Sequence, residues 1–253
     1  MKISLITICW NNERDIRPTL ESVKAQTYDD IEYIVVDGAS NDNTLSIVKE
    51  YESMITTLIS EPDKGLYDAI NKGVRNATGE FVGMIHAGDR LYDSKVIERI
   101  AGFLKANPDT DIVYGNSKIV DSNDKAKRIN ISPEYNKRLV RRGWMPSHQS
   151  IYARRTLFEK YGYYRNDFGG GGDYEWCVRY FYKETLRIRK INHFAIKFSL
   201  GGQSTANPKE KLTQKHKDNI KRAWMVNGLT PPRGIVWRML SRKPIQFIRA
   251  WFD

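Results

Sequence analysis

Short apolar runs alternate with amphipathic stretches through the first 120 residues, and this alternation leaves few architectures open. Lys2–Cys9 is mostly branched and apolar and reads as a buried strand. Glu32–Asp37, Met54–Ser60, Glu80–Ile85 and Asp111–Val120 read the same way. Between them the period is helical. Ile16, Leu20 and Val23 recur at i, i+4, i+7, and Leu45 and Val48 share a face in the next segment. Leu66, Ile70 and Val74 mark a third helix over Leu66–Ala77, and Ser94 caps a fourth carrying Val96, Ile97, Ile100 and Leu104. Strands and helices alternating over such short connections predict a mostly parallel α/β sheet with helices on both faces. Ligands of such sheets bind at the carboxyl ends of the strands.

Beyond about Asp121 the pattern loosens. Residues 121–143 are polar and basic and predict a loop with a short helix. Ser147–Ala153 is strand-like, Arg155–Tyr161 and Tyr174–Tyr182 read as helices, and Phe168-Gly-Gly-Gly-Gly-Asp173 lies between those two. Arg187–Leu200 alternates loosely as a strand that Gly201-Gly202 ends. From Pro208 the chain is helical and basic, with a break at Pro231-Pro232.

Composition narrows the class. With 40% hydrophobic and 28% charged residues, the 253-residue chain is globular, neither disordered nor collagenous. Two cysteines, Cys9 and Cys177, exclude a disulfide scaffold and a cysteine-based zinc site, and suit a reducing compartment. No apolar run reaches the roughly 18 residues of a membrane span, and the opening segment is too soon interrupted to read as a signal peptide. The net charge of +11 is concentrated: residues 209–253 hold eleven Lys or Arg and three acids. Nucleic acid, an anionic membrane or an acidic partner would each suit such a tail.

Neither a G-x-G-x-x-G after a strand nor a G-x-x-x-x-G-K-[ST] loop is present. The strand ends offer carboxylates instead: Asp37 closes the second strand, Asp68 opens the third helix, and Asp89 follows the fourth strand in Met84-Ile-His-Ala-Gly-Asp89. Carboxylates at such an edge can accept hydrogen bonds from a base or sugar, or hold a hard divalent cation. Taken singly, each also reads as a turn or helix-cap Asp. The glycines at 169–172 could cradle an anion or simply form a mobile loop.

These segments resemble the family 2 glycosyltransferases. The resemblance lies in Ser4-Leu-Ile-Thr-Ile-Cys-Trp-Asn-Asn-Glu13, Leu20-Glu-Ser-Val-Lys-Ala-Gln-Thr27 and Ile31-Glu-Tyr-Ile-Val-Val-Asp-Gly-Ala-Ser-Asn-Asp-Asn-Thr44. Glu61-Pro-Asp-Lys-Gly-Leu-Tyr-Asp-Ala-Ile-Asn-Lys-Gly73, Ala77-Thr-Gly-Glu-Phe81, His148-Gln149, Gly172-Asp-Tyr-Glu-Trp176 and Gly201-Gly-Gln-Ser204 are similar to the bacterial cell-surface polysaccharide branch. It implies a GT-A fold over residues 1–205, with a donor-binding half (1–120) and an acceptor half (121–205), followed by a basic tail over 206–253. It also implies a nucleotide-sugar donor, inversion at the anomeric carbon, and roles residue by residue. Asp37 would meet the nucleobase, with Thr7 and Asn11 lining its pocket, and Asp68 would face the ribose or donor sugar. Asp89 matches the last carboxylate of the family's D-x-D motif and would hold Mn²⁺ or Mg²⁺ on the diphosphate. Here Ala87 and Gly88 stand where the family often has further carboxylates. Asp173 matches the catalytic base.

His148 reads either as a diphosphate or acceptor contact or as a satisfied loop histidine, while His86 reads as structural. Trp176, Trp144 and Tyr67 could stack on a sugar, though aromatic core packing is their default reading. In the tail, Ile235, Val236, Met239 and Leu240 share a face, with Arg238, Arg242 and Lys243 elsewhere, and Phe247, Ile248, Trp251 and Phe252 follow. That mixture predicts a helix lying in an anionic membrane interface, or alternatively one packed on the body. Nucleic acid is set aside, because it leaves the strand-end carboxylates unexplained. The sequence thus predicts a cytoplasmic enzyme, peripheral at the inner face of the plasma membrane. It would transfer a hexose from a UDP-sugar to a lipid-diphosphate-linked saccharide. The alternative is a non-catalytic nucleotide-sugar or glycan-binding module of the same fold.

Overall fold

The structure, a computed structural model, describes residues 1–200 and 213–240. Gly201-Gly-Gln-Ser204 and the tail beyond Leu240 lie outside the described residues.

The chain runs β1 (Ile3–Cys9), α1 (Ile16–Lys24), β2 (Ile31–Asp37), α2 (Thr44–Lys49), β3 (Thr57–Ser60), α3 (Leu66–Asn76) and β4 (Phe81–Met84). These four strands are parallel in the order β3-β2-β1-β4, with Cys9 level with Asp37 and Asp37 level with Ser60. Their carboxyl ends therefore share one edge. Next come β5 (Arg90–Leu91), α4 (Val96–Ala106), β6 (Ile112–Val120), β7 (Ala126–Asn130), α5 (Lys137–Arg141), β8 (Ile151–Arg154) and α6 (Thr156–Tyr161). The chain then continues through α7 (Gly172–Cys177), β9 (Ile188–Ser199), α8 (Gln214–Met225) and α9 (Ile235–Leu240).

The parallel expectation holds throughout β1–β4, while the second half of the sheet is mixed. β8 inserts antiparallel between β4 and β6, β6 runs parallel to β9, and β5 closes the edge antiparallel to β9. The polar stretch read as loop contains β7, which forms a hairpin with β6. The fourth helix begins after Lys95 rather than after a Ser94 cap, and Gln26 Oε1 accepts from the Ile97 N–H at 3.1 Å.

Strand alternation builds two cores. Ile3, Leu5 and Cys9 of β1 face α1, α2 and α4, while Ile6 and Ile8 face α3 and the helices of the second half. Thr7 shares the parity of Leu5 and Cys9. Its hydroxyl pairs with Tyr33 Oη at 2.8 Å inside the first core.

α8 packs into the second core. Trp224 is 1% exposed and its Nε1 donates to Tyr174 Oη at 2.9 Å. Asn227 Nδ2 donates to Glu175, which is itself buried in a bidentate pair with Arg179. The apolar face read as membrane-facing at 235–239 turns inward: Ile235 is buried, and a Cβ at Gly143 would meet Met239 at 2.4 Å. Trp237, on the other side of α9, is 71% exposed. Burial of this kind makes a measurable commitment. Trp224→Ala is expected to destabilise the whole chain by about 3–5 kcal/mol in urea unfolding, in one cooperative transition. A loss under about 1 kcal/mol would mean that α8 is not part of the body's core.

Candidate active site

The loops leaving β1 and β2 are laced together. The Asn11 N–H donates to Ser40 Oγ at 2.9 Å, and Asn11 Oδ1 accepts from the Asn41 N–H at 2.8 Å. Asn12 N–H donates to Thr44 Oγ1 at 2.7 Å. Asn11 and Ala39 have φ of 50° and 58°, a region that Asn tolerates and Ala seldom occupies. The side chain of Asn11 thus shapes the loop, and it is Asn12 that lines the cleft. Asp37 is fully buried, accepting from Ser40 Oγ, from Ser60 Oγ at 2.7 Å and from the Ser40 N–H at 3.1 Å.

Lys72 organises the approach to α3. Its ammonium meets Asp63 at 2.6 Å, Glu61 at 2.9 Å and the Pro62 carbonyl at 2.8 Å, with Asp68 at 3.9 Å. Asp63 leans over Gly38, where an added Cβ would come within 2.8 Å of Oδ2, and it lines the cleft. Asp68 instead accepts from the Lys64 N–H at 3.0 Å. The carboxylate that this segment gives the cleft is therefore Asp63, not Asp68; the Glu61-Pro-Asp-Lys-Gly65 motif held the signal.

Asp89 sits in a loop fixed from three sides. Thr19 of α1 accepts from the Gly88 N–H at 3.0 Å and donates to the Asp89 carbonyl at 2.6 Å. Ser199, at the end of β9, gives its N–H to Asp89 Oδ1 at 3.1 Å. Gln149 donates through Nε2 to Asp89 Oδ2 at 2.5 Å and accepts at Oε1 from the His86 N–H at 2.7 Å. Burial pushes the Asp89 carboxyl up to about 6, against the two hydrogen bonds that oppose the shift. His86, read as structural from the sequence, lines the cleft, yet its Nδ1 is buried without a hydrogen-bond partner. Burial, with His148 alongside, lowers it to about 3, so it stands neutral at pH 7.

In the second half of the chain, Asp173 lies in the first turn of α7, behind the glycine run. Its N–H donates to Tyr67 Oη at 3.0 Å, and its Oδ1 accepts from the Tyr174 N–H at 2.8 Å. His148 Nε2 pairs with Tyr164 Oη at 2.9 Å, and its ring lies 5.9 Å from that of His86. Trp176 cannot reach an acceptor. It is 0% exposed, stacked on Tyr180 at 4.2 Å and Tyr164 at 5.4 Å, so it packs the core as aromatic residues do by default. Thr7 is likewise removed from the pocket wall: it is fully buried, below the strand end, with its hydroxyl on Tyr33.

The strand ends enclose a cleft of about 670 Å³. Trp10, Leu66 and Leu200 stand at its wall as exposed apolar side chains, Trp10 at 61%. Asp15, Asp63 and Asp89 also line it, and among the described residues no Lys or Arg does. Trp10, Asp63, His86 and Gln149 escaped the sequence reading as cleft residues, though each lies in or beside a quoted motif.

A cleft of this kind on this sheet has known counterparts. Residues 4–163 match glycosyl transferase family 2. A PGL/p-HBAD biosynthesis glycosyltransferase of Mycobacterium bovis is 31% identical over 176 residues, covering 68% of this chain and 67% of its own. The Escherichia coli enzyme WfgD is 27% identical over 257 residues, covering 99% of this chain and 96% of its own. It is named a UDP-Glc:alpha-D-GlcNAc-diphosphoundecaprenol beta-1,3-glucosyltransferase. Among solved structures, S. aureus TarS 1-349 in complex with UDP-GlcNAc aligns over 100% of this chain with a TM-score of 0.71 at 18% identity. This chain spans only 43% of a longer TarS structure. The mannosyltransferase PcManGT from Pyrobaculum calidifontis, in complex with GDP-Man and Mn2+, aligns with a TM-score of 0.63 at 20% identity. These structures share the fold. With the family match and the mycobacterial relative, they show that the chain belongs to glycosyl transferase family 2, the inverting glycosyltransferases, on a GT-A fold.

Proposed function

We propose that this glycosyltransferase moves a hexose from a UDP-sugar to a hydroxyl of a lipid-diphosphate-linked saccharide in surface polysaccharide assembly. One observation carries the reading. The cleft at the carboxyl ends of β1, β2 and β4 has Asp89 in its wall, and α3, whose residue Leu66 also lines it, contacts Asp173 through the next residue, Tyr67. The WfgD name supports the donor and acceptor classes, since that relative matches nearly end to end.

In this reading the uracil lies between Trp10 and the Asp37 loop. Asp37 accepts from the Ser40 hydroxyl and N–H, from the Ser60 hydroxyl and, more weakly, from the Cys9 thiol, and in this reading the imide N–H takes the place of the weak thiol donor. Asp63 stands where a ribose hydroxyl can donate. The hexose lies toward Asp173, which takes the acceptor proton as the hydroxyl attacks the anomeric carbon from the face opposite the leaving diphosphate.

The cleft chemistry suits a divalent metal. A donor diphosphate entering a wall that bears carboxylates but no described Lys or Arg needs positive charge from elsewhere. No group of three or more His, Cys, Asp or Glu that could hold a metal occurs among the described residues. Asp89 would thus be the protein's carboxylate toward Mn²⁺ or Mg²⁺, with diphosphate oxygens and water as the other ligands, a set that Mg²⁺ commonly accepts. Such an ion supplies Lewis-acid stabilisation of the charge developing on the leaving diphosphate. Gln149 and Ser199 hold the carboxylate in one orientation for that contact.

No helix among the described residues is long and apolar enough to cross a membrane. A peripheral site on the inner face of the plasma membrane fits a lipid-linked acceptor. Since α9 spends its apolar face on the body, the contact would fall to Trp237, the basic side chains and the residues beyond 240.

Four outcomes follow. Asp173→Asn should cut transfer by about 10²–10⁴-fold while UDP binding by calorimetry is retained; normal turnover would remove Asp173 as the base. Binding of a UDP-hexose with Mn²⁺ should weaken as pH falls through about 6, because the raised Asp89 carboxyl takes up a proton there and ceases to be a ligand. Asp89→Ala should weaken the same binding at pH 7.5 and flatten that pH dependence; an unchanged titration would rule out Asp89. Finally, the full chain should float with anionic liposomes and a chain truncated after Leu240 should float less, equal flotation placing the contact elsewhere.

A further inference from the structure

We propose that Tyr67 is the positioning residue of Asp173, tying the base on α7 to the turn of α3 that walls the donor cleft. The proposal rests on the reading of Asp173 as base.

Tyr67 touches Asp173 twice. Its Oη accepts the Asp173 N–H at 3.0 Å and donates to Asp173 Oδ1 at 3.4 Å, while the Tyr174 N–H holds that same Oδ1 at 2.8 Å. One hydroxyl therefore fixes both the main chain and the carboxylate of the base. The two residues are 106 positions apart and come from the two halves of the sheet. Local structure does little to fix this point, because α7 has six residues and follows three glycines, of which Gly169 has φ of 53°.

The approach depends on Gly172. A Cβ there would come within 2.6 Å of the Tyr67 ring, and atoms so close must move. The ring is held on its other side by Tyr164, stacked at 5.9 Å and 10°, and Tyr164 in turn pairs with His148. Tyr67 is buried, so its hydroxyl has no competing water and keeps its proton, its ionisation being raised by burial and by Asp173.

The titratable groups facing Asp173 are Tyr67 from α3, His148 from the turn before β8, Tyr164 from the loop after α6, and Cys177 from its own helix. Burial keeps His148 and Cys177 neutral at pH 7. This set brings no cation to Asp173, so its carboxylate is oriented by hydrogen bonds alone. The turn bearing Tyr67 also faces the donor, since Gly65 and Leu66 line the cleft and Asp68 binds the Lys64 N–H. Four consecutive residues thus serve the cleft, the base and the donor loop, and the base takes its position from the wall against which the sugar nucleotide docks.

Tyr67→Phe keeps the ring, the stack and the fit to Gly172, and removes only the hydroxyl. It should lower kcat for transfer by about 10–100-fold with the donor KM and UDP affinity unchanged. It should also move the acid limb of the kcat/KM pH profile to higher pH, since the carboxylate loses a donor to its charged form. The thermal midpoint, read alongside, should stay near wild type. A wild-type kcat with an unmoved acid limb overturns the proposal. So does a fall in thermal midpoint and a rise in donor KM with kcat intact, which would make Tyr67 a packing residue. Asp173→Asn separates the two readings: if that variant still transfers sugar, the assignment of the base fails, whereas if it is inactive while Tyr67→Phe is normal, only Tyr67 is misassigned.

Discussion

The amide of Gln149 joins the two halves of this molecule at the point where its chemistry gathers. Its oxygen takes the His86 N–H and its nitrogen reaches Asp89 Oδ2, so a turn of the second half reads both ends of the loop leaving β4. That reach exists because β8, which follows Gln149, is hydrogen-bonded antiparallel to β4. A purely parallel continuation would have carried the chain away through a crossover helix. The departure from a parallel sheet is thus what delivers a second-half side chain to the donor edge. Removing the amide would leave a desolvated carboxylate with one neutral donor, Ser199 N–H, and a loop free to rotate it.

The same logic bears on the proposed metal role of Asp89, which would serve alone where the D-x-D pattern carries more than one carboxylate. Two adjacent carboxylates repel one another and need a cation for either to sit ionised in a buried loop. Here Ala87 and Gly88 leave a single charge, which Gln149 and Ser199 orient through neutral contacts while Thr19 holds the backbone of its loop. Gly88, at φ of 94°, lets the loop fold back so that its carbonyl meets Ser199 Oγ. Under the proposed metal role, ligand number is exchanged for rigidity of the one carboxylate that remains.

How much of this could be read from the chain divides along physical lines. β1, β2 and β4 were legible because strands buried on both faces must be continuously apolar, and that pattern needs no tertiary information. α3 was legible from Leu66, Ile70 and Val74. Motifs located the strand-end loops, but not which side chain in each loop faces the cleft. Asn11 binds the neighbouring loop and Asn12 faces the cleft; Asp68 holds Lys64 and Asp63 faces the cleft. Such choices are set by a backbone angle or a salt bridge across the loop, here φ of 50° at Asn11 and the ammonium of Lys72. Thr7 was not decidable from parity, since Ile8 and Cys9, of opposite parity, both line the cleft; it is removed by its depth along β1 and its bond to Tyr33. Nor was Trp176 decidable, because its burial depends on Phe158, Tyr164 and Tyr180, which sequence alone could not set around it.

Charge shows the same division between what a chain states and what its fold does with it. The net +11 lies mostly in residues 209–253, and the described lining of the cleft is acidic. Basic side chains nearby are committed elsewhere: Lys72 to the donor loop, Arg179 to Glu175, and Arg222 of α8 to Asp167. An anionic donor would therefore meet carboxylates in the wall, and under the proposed metal role its binding would depend on the ionisation of Asp89 rather than on the chain's overall charge. A basic exterior raises the local concentration of anionic partners over a distance of about a Debye length, roughly 8 Å at physiological salt. Inside the cleft the carboxylates oppose any anion that arrives without a metal. The two fields act in series, so attraction outside and selection within need no shared residues.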